Sequence, residues 1–258
     1  MSQKISALII TYNEENNIDE VLQSMEFADE IILLDSFSTD QTLERARLHP
    51  KVKIYQNKFE DFTKQRNLAL TYANNDWILF LDADERLPAA SQAEILSTVN
   101  DPQAKDAYYM YRLFFFCGER INFSGTQNDK NFRLFKKSKV TYDTKKKVHE
   151  TLIVNGTIGS LKNKIWHYSF ADYASYKEKM VHYGELKGKE LYAKNKRYSL
   201  LSHLAKVSFK FFKAYFLKLG ILDGRRGYQL CYLQSLSVHE TFMSLKREEK
   251  NEDLYYKL

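Results

Sequence analysis

The first hundred residues alternate between two hydrophobic periods, and that alternation constrains the fold more than any other feature. Ile5-Ser6-Ala7-Leu8-Ile9-Ile10 and Ile31-Ile32-Leu33-Leu34 are short apolar runs suited to buried parallel strands. Val52-Lys53-Ile54-Tyr55 alternates as a third strand, and Trp77-Ile78-Leu79-Phe80-Leu81 reads as a fourth. Between them, Glu14 to Met25 carries Ile18, Val21, Leu22 and Met25 at helical spacing. Ser38-Thr39-Asp40 offers a cap to a helix over Gln41–Leu48, Phe62–Ala73 reads as helix, and Pro88 opens another that reaches about Val99. Strands alternating with helices imply a mostly parallel sheet with right-handed crossovers. Such sheets bind ligands at the carboxyl ends of their strands. Here those ends read Thr11-Tyr12-Asn13-Glu14, Asp35-Ser36 and Asp82-Ala83-Asp84, which is the main functional signal in the chain.

The character changes after Asp106. Tyr108–Phe116, Asn131–Phe135, Val148–Val154 and Thr157–Ile165 read as strands of a less regular sheet. Beyond Tyr168 the spacing is helical over 171–194, 200–219 and 226–246, with breaks near Asn195 and at Gly220–Gly227. With 44% hydrophobic and 28% charged residues, the chain can bury a sizeable core and is not disordered. Two cysteines, Cys117 and Cys231, exclude a disulfide framework and a Cys-rich zinc site. Ala7–Ile10 is too short for a signal-peptide core or a membrane span, so a soluble or peripherally bound protein facing the cytoplasm is expected.

The net charge of +6 is uneven: residues 171–258 hold 17 Lys+Arg and 10 Asp+Glu, while residues 1–170 hold the other 22 and 23. The basic third calls for an acidic partner, whether a membrane surface, a phosphorylated acceptor or nucleic acid. Leu201, Leu204, Ser208, Phe211, Phe212, Tyr215, Phe216 and Leu219 fall largely on one helical face. That face could lie in a membrane interface or pack on the catalytic domain. The strongest motifs are acidic and none is a nucleic-acid motif, so nucleic acid is not expected as the partner.

Asp82 and Asp84 follow an apolar strand and point the same way if the chain stays extended. Paired carboxylates there suit Mg²⁺ or Mn²⁺, with substrate phosphates and water completing the shell; a solvated acidic turn is the plainer alternative. Asp35 could accept hydrogen bonds from a base or ribose while Ser38-Thr39-Asp40 caps the next helix. Arg66, in Gln65-Arg66-Asn67, could pair with a diphosphate. A dinucleotide-dependent dehydrogenase would need a glycine-rich turn after the first strand, which Thr11–Glu14 lacks. A haloacid-type phosphatase would need its acidic pair after the first strand, not the fourth.

These stretches, taken in order with Asp35–Thr42, Gln65–Leu70 and Asp76–Glu85, resemble the family 2 glycosyltransferases of the GT-A fold. The resemblance implies a Rossmann-like α/β domain that binds a nucleotide sugar, a UDP-sugar in the first instance. Residues 1–105 would form the nucleotide-sugar half, 106–168 the acceptor-side strands and loops, and 169–258 a basic helical region. It further implies that Thr11, Tyr12 and Glu14 border the nucleotide, that Asp35 contacts base or ribose, that Asp82 lies near ribose and diphosphate, and that Asp84 binds a divalent metal, Mn²⁺ or Mg²⁺. Two departures stand out: family members often have Pro at the position of Ile10, and many have Asp-Asp-Gly-Ser where this chain has Asp35-Ser36-Phe37-Ser38.

Phe132–Phe135, Val148-His149-Glu150, Ile165-Trp166-His167 and Gly220–Gly227 resemble the bacterial subgroup that adds sugars to the lipopolysaccharide core. That subgroup implies a glycan or lipid-linked glycan acceptor, and Glu150 as the base that activates its hydroxyl, with Glu85 and Asp143 as runners-up. His167 could reach the metal or the diphosphate as a neutral imidazole, or be an ordinary hydrogen-bonded histidine. Trp166 could stack on a sugar. Arg133 could bind phosphate or be a surface strand residue.

Overall fold

The structure, a computed structural model, describes residues 2–142, 152–170 and 172–255. In chain order the elements are β1 (Ile5–Thr11), α1 (Ile18–Met25), β2 (Glu30–Asp35), α2 (Thr42–Ala46), β3 (Val52–Gln56), α3 (Phe62–Tyr72), β4 (Trp77–Asp82), β5 (Glu85–Arg86) and α4 (Ala89–Val99). They continue with β6 (Ala107–Phe116), β7 (Glu119–Ile121), β8 (Lys130–Lys136), β9 (Val140–Tyr142), β10 (Leu152–Val154), β11 (Ile158–Ser160), β12 (Ile165–Phe170), α5 (Tyr173–Ala193), α6 (Leu200–Phe212) and α7 (Gly224–Tyr255). Two compact units result: Met1–Arg112 with Asp129–His167, and Leu113–Asn128 with Tyr168–Leu258.

In the first unit the strand order is β3-β2-β1-β4-β8-β6-β12-β5. β3, β2, β1 and β4 are mutually parallel, and β8 runs antiparallel to β4 and β6. The period of two explains the apolar runs. Ala7, Ile9, Ile31, Leu33, Leu79 and Leu81 face one buried cluster with α1, while Leu8, Ile32, Leu34, Ile78 and Phe80 face a second. A strand covered on both faces has no polar side to show. The register pairs Thr11 with Asp35 and Ile10 with Asp82, so the polar tips of β1, β2 and β4 stand level.

Several elements differ from the sequence reading for identifiable reasons. The first helix starts at Ile18, not Glu14. The Glu14 amide instead donates to Thr42 Oγ1 (2.7 Å) and that of Glu15 to Asp40 Oδ2 (3.0 Å), which ties this turn to the loop after β2. The single strand expected over Thr157–Ile165 is two, β11 and β12. Between them the Glu94 carboxylate accepts the amides of Lys162 (2.7 Å) and Asn163 (2.8 Å). Strands β5, β7 and β9 have two or three residues, too few to show a period. Of the strand expected over Val148–Val154, β10 begins at Leu152, and residues 143–151 lie outside the described residues.

The second unit has its own core of Phe116, Ile121, Tyr176, Leu230 and Leu233. Here α7 is longer than the expected 226–246, and α6 ends at Phe212, continuing as a π-helical turn over Lys213–Leu217. Gly184 and Gly188, one turn apart on α5, let α7 approach closely. A Cβ at Gly188 would stand 2.5 Å from Ser244 Cβ and 2.6 Å from the Thr241 carbonyl oxygen. Backbone cannot yield as a side chain can, so Gly188→Val is expected to lose about 1–3 kcal/mol through overpacking, despite valine's better helix propensity. Urea unfolding measures this, and an unchanged midpoint would contradict the close approach. Among the described residues no helix is long and apolar enough to cross a membrane.

Candidate active site

The carboxyl ends of β1 and β2 are joined by a dense polar network. Asp35 is fully buried, and its carboxylate accepts from Thr11 Oγ1 (3.1 Å), Ser38 N (2.9 Å), Ser38 Oγ (2.5 Å) and Gln56 Nε2 (3.3 Å). Four donors fill the acceptor capacity of a carboxylate, so Asp35 organises the loop that follows β2. That loop holds Phe37 at φ +61°, in the left-handed region where many relatives by resemblance carry glycine. The strain costs about 1–2 kcal/mol, which the Asp35–Ser38 bonds offset. Asn13 also stands at positive φ, and its side chain accepts the Thr39 amide (2.8 Å).

Beside these tips lies a cleft of about 550 Å³, lined by Thr11, Tyr12, Glu14, Ser36, Phe59 and Phe62 among others. Tyr12 is 59% exposed, and Phe59 and Phe62 are exposed as well, their rings 5.0 Å apart edge to face. Glu14 is half-buried. Burial raises its carboxyl above the usual range and the nearby Asp84 charge adds to this, against a hydrogen bond from Asn17. Lys58, Phe59 and Phe62 escaped the sequence reading. The available signal was aromatic side chains at the start of α3, off its buried stripe.

At β4 the chain does not stay extended. Ala83 and Asp84 form a turn, and the two carboxylates meet different partners. Asp82 is bonded by Arg66 Nη2 at 2.6 Å and by Arg133 Nη2. Burial pushes its carboxyl up, but the two guanidiniums outweigh burial and hold it well below the ordinary range. The Arg66 guanidinium also lies 4.6 Å from the centre of the Phe80 ring. Arg133 is a buried residue, not a surface one. It bonds Glu85 Oε1 as well (2.6 Å), and its Nε has no hydrogen-bond partner. Glu85 is fully buried and also accepts from the Asp82 amide (3.1 Å) and Arg112 (3.4 Å). Burial raises it. A carboxylate so enclosed is badly placed to reach an acceptor hydroxyl, which disfavours Glu85 as the base. A smaller cleft of about 270 Å³ opens against Asp82, Arg66 and Arg133, with Tyr109, Asn131 and Tyr142 on its walls.

Asp84 turns the other way. β5 pairs antiparallel with β12, opposing Glu85 to His167 and Arg86 to Trp166. This brings His167 Nε2 to 3.2 Å from Asp84 Oδ2, at side-chain exposures of 12% and 33%. The sequence separation is 83 residues, so only the sheet joins them. A carboxylate and an imidazole are a donor set that suits Mn²⁺ and accommodates Mg²⁺. Among the described residues no trio of His, Cys, Asp and Glu gathers as a closed metal cage. Asp84 and His167 would supply two ligands to such an ion and leave the rest of its shell to other donors. Glu150 and Asp143 lie outside the described residues.

A mixed sheet with level polar tips on β1, β2 and β4, and an acidic turn after β4, defines an α/β protein of the GT-A class. The chain belongs to glycosyl transferase family 2, whose profile matches residues 6–159. It is 28% identical over 240 residues to a protein of Rickettsia bellii named an uncharacterized glycosyltransferase, covering 88% of this chain and 81% of that one. It is 26% identical over 162 residues to the lipopolysaccharide core biosynthesis glycosyltransferase LpsC of Rhizobium meliloti, covering 61% and 60%. In structure it is similar to residues 1–349 of TarS from S. aureus, solved with UDP: TM-score 0.50, 16% identity, 97% and 92% coverage.

Proposed function

We propose that this glycosyltransferase moves a hexose, glucose, from a UDP-sugar to a hydroxyl of a lipopolysaccharide-core glycan carried on lipid, at the inner face of the cytoplasmic membrane, with inversion at the anomeric carbon. The observation that carries the reading is the approach of Asp84 and His167 beside the level tips of β1 and β2. The likeness to LpsC supports the acceptor class.

In this reading Tyr12, Phe59 and Phe62 enclose the nucleotide's base, with Thr11 and Glu14 along the cleft. Asp35 sets the loop that shapes it. Asp84 and His167 would hold Mn²⁺ or Mg²⁺, which when bound would supply Lewis-acid neutralisation of the leaving diphosphate. Asp82 fixes the Arg66 and Arg133 guanidiniums at the floor of the smaller cleft, where they add positive charge toward the diphosphate. Glu150 takes the proton of the acceptor hydroxyl as it attacks the anomeric carbon, whose transition state has oxocarbenium character.

Glu150→Gln is expected to lower kcat by about 10²–10⁴-fold, the usual contribution of a general base, while donor affinity stays near wild type. Single-turnover kinetics separate the two; a rise in the donor's Michaelis constant alone would place the base elsewhere. The overall reading is tested by a thermal-shift screen of sugar nucleotides with and without Mn²⁺, followed by transfer to core oligosaccharide. A failure of every sugar nucleotide to raise the unfolding temperature would remove it.

A further inference from the structure

Residues 191–222 hold seven Lys and Arg and no Asp or Glu. Within this run α6 is turned inside out. Its buried residue is His203, while Leu200, Leu201, Leu204, Phe209 and Phe212 face solvent, Leu201 at 81% exposure. The pattern continues past the helix through Phe216, Leu217, Leu219, Ile221 and Leu222. Ring contacts link part of this stretch. Phe212 packs on Phe216, Phe216 on Tyr215, and Tyr215 on Phe211 and Tyr228, with ring centres 5.1–6.0 Å apart. A soluble helix normally buries such a stripe, and an exposed apolar patch of this extent marks an interaction site.

A basic pocket of about 310 Å³ adjoins it. Lys210, Lys213 and Lys218 line it together with Phe209, Ser124 and Gly125. None of the three lysines has an ion-pair partner among the described residues. Burial and the neighbouring Lys213 hold the Lys210 ammonium below its usual range, as expected of cations gathered without a counter-anion. The pocket is built rather than incidental. Asp223 accepts the amides of Asn122 (2.9 Å) and Phe123 (3.0 Å) and the Ser124 hydroxyl (2.8 Å). The Lys218 carbonyl accepts from Ser124 N (3.1 Å) and Gln127 Nε2 (2.9 Å). A Cβ at Gly227 would stand 2.0 Å from the Gly220 carbonyl oxygen, so the Gly220–Gly227 motif forms a compact wall.

We infer that the exposed face of residues 200–222 and the Lys210–Lys213–Lys218 pocket form a docking site for an anionic lipid bilayer, the pocket receiving a headgroup phosphate. Leucines and phenylalanines enter the headgroup–acyl boundary while the lysines meet negative charge. Charge complementarity selects this occupant. A second copy paired through the same face would set the four lysines of residues 200–222 (Lys206, Lys210, Lys213 and Lys218) against the same four. The site extends the reading of a lipid-linked acceptor, but its test needs no sugar transfer.

Flotation of the full-length protein with vesicles of phosphatidylcholine and phosphatidylglycerol, against phosphatidylcholine alone, reads the inference. The protein is expected to float with the anionic vesicles at low salt and to be released by high salt. Each Lys→Ala change at 210, 213 or 218 is expected to weaken partition about fivefold, and the triple variant about a hundredfold. Leu201→Ser with Phe212→Ser should weaken it at any salt. These side chains are exposed or line an open pocket, and far-ultraviolet circular dichroism together with unaltered UDP binding verifies that each variant is folded. No flotation of the wild type at low salt, equal flotation with phosphatidylcholine alone, or undiminished flotation of the triple variant would each overturn the inference. So would stabilisation by inorganic phosphate without flotation, or a concentration-dependent dimer broken by Leu201→Ser. Loss of UDP binding with flotation intact would instead count against the donor reading.

Discussion

Asp84→Ala is expected to lower sugar transfer by about a thousandfold or more while leaving the fold unchanged. The size follows from the several kcal/mol of charge stabilisation that a Lewis acid contributes at a departing diphosphate. The fold should survive because Asp84 sits in a turn with a third of its side chain exposed, and its close partner is His167, not the buried arginines. A second readout separates loss of the ion from general damage. In the wild type, Mn²⁺ together with UDP should raise the unfolding temperature above UDP alone, and in Asp84→Ala that increment should vanish. His167→Ala should shrink the same increment without abolishing it, since phosphates and water can replace one ligand of a hard cation. Near-normal turnover in Asp84→Ala would refute the metal assignment.

Arg133→Met is the second substitution with a large expected effect, here on stability. Methionine fills much of the same volume, so the loss is chiefly electrostatic. Arg133 bonds both Asp82 and Glu85, and without it the cations that still pair with these carboxylates among the described residues are Arg66, on Asp82, and the more distant Arg112, on Glu85. Removing one partner of a buried ionic cluster typically costs about 3–5 kcal/mol. In a chain of this size that lowers Tm by roughly 10 °C. The pH dependence gives the sign. In the wild type Asp82 is held below its ordinary value, so its contribution is full above about pH 4 and fades only as acid is added through the lowered value. Glu85 already sits above its ordinary value through burial, and removing Arg133 raises it further. A raised carboxyl favours the folded state as pH falls. The deficit should therefore narrow between about pH 7 and 5, and Arg133→Met combined with Glu85→Gln should recover part of it. Urea unfolding at both pH values measures this; a deficit below about 1 kcal/mol would show that the cluster is not what holds β4 to β8.

What was legible in the chain was whatever repeats or is local. The unbroken apolar runs of β1, β2 and β4 and the helical spacing of α1, α3 and α4 are written in neighbouring residues, because a strand buried on both faces is apolar along its length and an amphipathic helix imposes a short repeat. The polar residues at the strand tips were equally readable, since they interrupt those runs. Elements without a period were not: β5, β7 and β9 are too short, and the break between β11 and β12 is made by Glu94, far away in the chain.

The arrangement of the site lies on the other side of that divide. Sequence put Asp82 and Asp84 side by side, and the turn at Ala83–Asp84 sent one to two buried arginines and the other to His167. It could not say that Asp35 would be saturated by Ser38 together with Thr11 and Gln56 of the flanking strands, or that Arg133 would be buried, because each depends on strands brought together across about 20 to 50 residues. The apolar stripe of α6 was equally visible from spacing, yet which way it faced was settled by the packing of α7. By itself the sequence determined the sheet, its family and the acids at its strand ends, since those follow from local periodicity and chain order. Only the tertiary structure decided which carboxylate is bound to arginine and which meets an imidazole at 3.2 Å, because a side chain's partners are set by long-range register and burial.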